Sequence, residues 1–117
     1  MLLSKAEAIA NESGAPNDDA MELVNVIRRR AGLLDKDLDD YKTLSAFNDL
    51  VLTERSHEFW CENGQYRADL IRHGKFVSRA QLVKGTTYTA DYKVLYPFSL
   101  KTISEGKGKF IQNPGYN

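Results

Sequence analysis

Two carboxylates, Glu54 and Glu58, stand four residues apart where a helix would be expected to stay apolar. At helical spacing Phe47, Leu50, Val51, Glu54, Glu58 and Cys61 share one face, so acids continue a stripe that hydrophobes begin. One use of such a pair is general acid and base catalysis, which needs two carboxyl groups held on the same surface. The competing use is structural, because a carboxylate taken out of water must find a cation. Arg67 and Arg72 follow directly, and Asp69 lies three residues before Arg72, the spacing of a helical ion pair. The favoured reading is therefore a structural ion-pair network of Glu54, Glu58, Arg67, Asp69 and Arg72, with no catalytic residue among them.

The same stretch holds other reactive side chains, each with a blander role. Glu54 and His57 make one Glu-x-x-His, the spacing of helical di-iron sites, but the second copy and further glutamates such sites use are missing. His57 and Cys61 could share a zinc ion only with His73, Glu58 or Glu62 completing it, and a half-buried histidine beside a core cysteine is preferred. Cys61 with His57 or His73 as nucleophile and base lacks an evident oxyanion hole and falls on the face expected to be buried. Arg28, Arg29 and Arg30 read as the solvated last turn of a helix, where cations suit the dipole, rather than as a phosphate site. Trp60, Tyr66, Tyr88, Tyr92 and Tyr96 could stack on sugar rings, but core packing is favoured. No cofactor, metal or ligand-binding residue is assigned.

These side chains need helices to position them. Leu2, Leu3, Ala6, Ile9 and Ala10 predict a first helix from about Leu2 to Ser13, stopped by Gly14. Asn17 or Asp18 caps a second, whose apolar face is Ala20, Leu23, Val24, Ile27 and Ala31 and which stops at Gly32; the two form an antiparallel hairpin over residues 1–33. Thr43 or Ser45 caps a third helix reaching about Glu62, and a fourth runs from Gln65 to His73 and ends at Gly74, so residues 43–74 form a second helix pair. Residues 75–117 are expected to be mostly loop or extended tail. Within them Phe76 to Leu82 could add a turn or two, Tyr88, Ala90, Tyr92, Val94 and Tyr96 alternate as an extended segment would, and Asn113-Pro114-Gly115-Tyr116 makes a turn. The fold class is all-α, in antiparallel helix pairs with a long irregular C-terminal segment.

At 117 residues the chain suits a single domain that can bury a modest core without metal or disulfide. Sixteen basic and sixteen acidic residues leave no net charge, which disfavours nucleic acid as a partner. The single cysteine excludes a disulfide framework, and no segment has the length of a membrane span or the pattern of a signal peptide, so the chain is expected to be soluble as it stands. Because it opens within a helical pattern with no cap, it is expected to be a truncated piece whose targeting signals lie elsewhere.

The assembled motifs resemble the C-terminal part of the SusD/RagB family of outer-membrane glycan-binding lipoproteins. The hairpin with Ala6-Glu7-Ala8 and Ile27-Arg28-Arg29-Arg30-Ala31-Gly32-Leu33 looks like the family's last tetratricopeptide-like pair. Glu54-Arg55, Glu58-Phe59, Gly64, Arg67 and Asp69-Leu70-Ile71-Arg72 fit its "ER..EF..EG.R..DL.R" signature, and Tyr96-Pro97 with Gln112-Asn113-Pro114-Gly115-Tyr116 fit its close. Asn63, His73 and Ser99 depart from the family's usual glutamate, tryptophan and proline. The resemblance implies a non-enzymatic nutrient-binding protein on the extracellular face of the outer membrane. It would be held there by a lipid anchor outside this chain and would deliver glycans or other nutrients to a TonB-dependent SusC-like transporter. The family's sugar contacts lie mainly upstream, so this segment is expected to be scaffold. The alternatives are a helical-repeat module for protein partners and, less favoured, a small metal enzyme built on Glu54, His57 and Glu58.

Overall fold

The computed structural model describes residues 1–62, 64–85 and 90–116. It is all-helical, with no strand among the described residues, and divides into two compact units, Met1–Tyr66 and Arg67–Asn117.

In the first unit, α1 spans Leu2–Ser13, α2 spans Asp18–Arg30 and α3 spans Leu44–Glu58. Gly14 stops α1 in the left-handed region at φ 75°, and the Asn17 side chain accepts from Ala20 N–H at 2.9 Å to start α2. Four residues separate two helices that pack on each other, so they must run antiparallel, as expected. Ala6, Ala10 and Ala20 are fully buried, and their small side chains bring α1 and α2 close together. Leu3, Met21, Val24, Phe47, Leu50 and Val51 complete the core, with α3 laid across both helices of the hairpin. A 3₁₀ turn at Leu38–Tyr41 adds Leu38 and Tyr41 to its edge. The loop before that turn is anchored by a buried residue, Asn25. Its amide accepts from Lys36 N–H at 2.8 Å and donates to Lys36 O at 3.0 Å, imitating a backbone pair.

The C-terminal unit is built differently. It contains most of α4 (Gln65–Arg72), then α5 (Phe76–Lys84), a 3₁₀ turn at Asp91–Val94 and α6 (Leu100–Glu105). Residues 75–117 are thus more helical than expected. Ser99, standing where the resemblance would place proline, accepts from Thr102 N–H at 3.1 Å and caps α6. The alternating tyrosines do not form an extended segment through Asp91–Val94. Lys93 N–H donates to Ala90 O at 3.0 Å and closes a turn, the Tyr92 ring packs on Tyr116 and the Tyr96 ring on Arg67, and no strand among the described residues offers a ladder. Tyr88, with Thr87 and Thr89, lies outside the described residues.

Because Phe47 is fully buried at the centre of the first unit, Phe47→Ala should cost about 3–5 kcal/mol. A urea titration followed by far-UV circular dichroism checks this, with Trp60→Ala, at a residue 78% exposed, as a control expected within about 0.5 kcal/mol of the unchanged chain.

Candidate functional site

Glu54 occupies the buried end of the α3 stripe, 4% exposed, one turn beyond Val51. Its partner is Arg28 of α2, which is itself mostly buried and which also donates from Nε to Leu34 O at 2.8 Å. Glu58, farther out, pairs with Arg30. The carboxylates therefore take the cations of the α2 last turn, correcting the expectation that Arg67 and Arg72 would be their mates. Sequence proximity favoured the downstream arginines, but packing of α2 against α3 brings the upstream ones into reach. Arg29 is also engaged, with Glu22 and with Asp35 at 2.6 Å, and these two hydrogen-bonded carboxylates raise its pKa above the ordinary arginine value. The Arg28-Arg29-Arg30 run thus makes four ion pairs, while Arg29 and Arg30 stay partly exposed as a solvated last turn would leave them. With Glu54 and Glu58 both bonded to guanidinium groups of α2, the arrangement is a clasp between helices.

Arg55, the second half of the Glu-Arg dipeptide, is buried on another side of α3. It donates to Ser4 Oγ at 2.8 Å and stacks over Phe59 at 5.1 Å, tying α3 to α1. The α3 helix ends at Glu58, short of the expected Glu62, so Cys61 falls beyond it at φ 63° and is exposed rather than core. His57 is exposed as well. Trp60 and Tyr96, at 78% and 70% exposed, contradict the expectation that both pack inside; Tyr66 is half-buried.

In the C-terminal unit Arg72 pairs with buried Asp69 at 3.0 Å, the expected i,i+3 contact. Arg67 has a role the sequence did not reveal. Its guanidinium lies between the rings of Tyr96, 4.0 Å away, and Phe76, 4.8 Å away, and donates to the carbonyls of Lys93 and Val94 at 3.1 and 2.8 Å. The closing residues grip the same segment. Gln112 pairs with both the N–H and the C=O of Phe98 at 2.9 Å, Asn113 donates to Tyr96 O at 2.6 Å, and Tyr116 Oη donates to Leu95 O at 2.9 Å. The Tyr116 ring meets Tyr92 edge-on at 4.9 Å. Gly115, at φ 84°, lies so close to the Tyr92 ring that a Cβ there would collide with it. The Gln-Asn-Pro-Gly-Tyr close is thus a latch that satisfies backbone groups no helix satisfies.

Counting charge by unit also changes the sequence reading. Residues 67–117 carry nine Lys and Arg against three Asp and Glu, a formal +6, and residues 1–66 carry seven against thirteen, a formal −6. The signal was available from a count by halves.

Glu54→Ala or Arg28→Ala should destabilise by about 3–5 kcal/mol, since either leaves a buried charge unpaired, whereas Arg28→Met with Glu54→Leu should recover most of that loss. Glu58→Ala, at a partly exposed pair, should cost less than about 1 kcal/mol; thermal melts of the four variants test the ranking. Gly115→Ala should cost about 1–3 kcal/mol from the left-handed backbone alone, with the ring collision added, read as loss of amide-exchange protection near Tyr92.

The comparisons with known proteins bear on the fold and the family. No curated protein matches the chain. Surface glycan-binding protein A from Bacteroides thetaiotaomicron, a solved structure, superposes with a TM-score of 0.73 at 32% identity, covering 97% of this chain. The chain spans only 22% of that protein's length. The model of the SusD family matches residues 1–116, and the chain belongs to the SusD family.

Proposed function

We propose that residues 1–117 form the C-terminal part of a lipid-anchored glycan-binding protein on the outer-membrane surface. That protein would hand oligosaccharides or other nutrients to a TonB-dependent SusC-like transporter. The observation that carries this reading is the match to surface glycan-binding protein A, with 32% identity across nearly the whole chain. Within that protein this part acts as scaffold. Its distinctive side chains, Glu54, Arg28, Arg67, Gln112 and Asn113, are bonded to other groups of the chain, and so are turned to holding shape rather than offered to a ligand. The role proposed is binding rather than catalysis, in keeping with carboxylates that already hold arginines.

Isothermal titration with a panel of oligosaccharides should show binding by a longer protein that includes the upstream portion and none by the 117-residue chain alone. Equal affinity for both would overturn the scaffold role, and no binding by the longer protein would overturn the glycan reading. A tagged longer protein should also capture a TonB-dependent transporter from detergent-solubilised outer membrane.

A further inference from the structure

We draw no further inference here: the strongest candidate, the apolar edge that Leu100 and Ile111 form on the loop over residues 98–112, carries nothing because the chain spans 22% of the matched protein's length and nothing in the structure shows what covers that edge.

Discussion

Burial of the Glu54 carboxylate sets the terms for the first unit. A charge removed from water at the end of an apolar stripe needs a guanidinium at hydrogen-bond distance, and Arg28 supplies it from α2. That pairing requires α2 to be long enough to carry Arg28 to its last turn, and α2 and α3 to lie in contact. It also requires the small side chains of Ala6, Ala10 and Ala20, without which α1 could not close on α2 beside the same core. The ion pair contributes little net stability against an apolar substitute, but it is intolerant of any register in which either partner is left alone. Specific placement of α2 against α3 follows from that intolerance more than from attraction between the charges.

The C-terminal unit solves a different problem. Leu70 is its one buried hydrophobe among the described residues, and long stretches have no helix to satisfy their backbone. Side chains take over that work. Arg67 bonds two carbonyls and is held between two rings, Gln112 pairs with a backbone as a neighbouring strand would, and Asn113 and Tyr116 each take one more carbonyl. These contacts converge on residues 92–98, so Arg67 and the closing residues Gln112, Asn113 and Tyr116, far apart in sequence, have the same target. The need to satisfy backbone carbonyls explains why arginine and amides, rather than hydrophobes, occupy those positions.

The first unit was legible because its signals were local. Gly14, Asn17 and Thr43 mark helix ends by rules that need no tertiary context, and the spacing of Leu3, Ala6 and Ala10 reveals a buried face. The clasp was legible in kind but not in partner. Burial of Glu54 demanded an arginine, yet which one depends on helix packing rather than on sequence distance. Cys61 was misplaced because stripe counting cannot tell where a helix stops when the next glycine is several residues on. In the C-terminal unit the tyrosine alternation imitated a strand, whereas the rings are placed by Tyr116 and Arg67. Asn25 was invisible for the same reason: an amide inside a helix announces nothing until a loop is found bonded to it.

Neutrality of the whole chain led to an exclusion that holds only on average. Zero net charge argues against a broad positive field, but a formal −6 and a formal +6 in successive units are not a neutral surface, since screening confines each charge's influence to about 8–10 Å. The relevant quantity is therefore charge per unit and, within it, charge that is not already paired. In the first unit the three arginines of α2 are all held by carboxylates, so its excess is acidic and sits largely outside the clasp. In the C-terminal unit Arg67 is enclosed by rings and carbonyls and Arg72 is paired with Asp69, which leaves the exposed positive charge weighted toward lysines such as those of the 98–112 loop. Most of the arginines of this protein, exposed Arg79 excepted, are held by acceptors within it, and most of its lysines meet the solvent. That division follows from guanidinium geometry, which can satisfy several acceptors at once where an ammonium remains a strongly hydrated point charge.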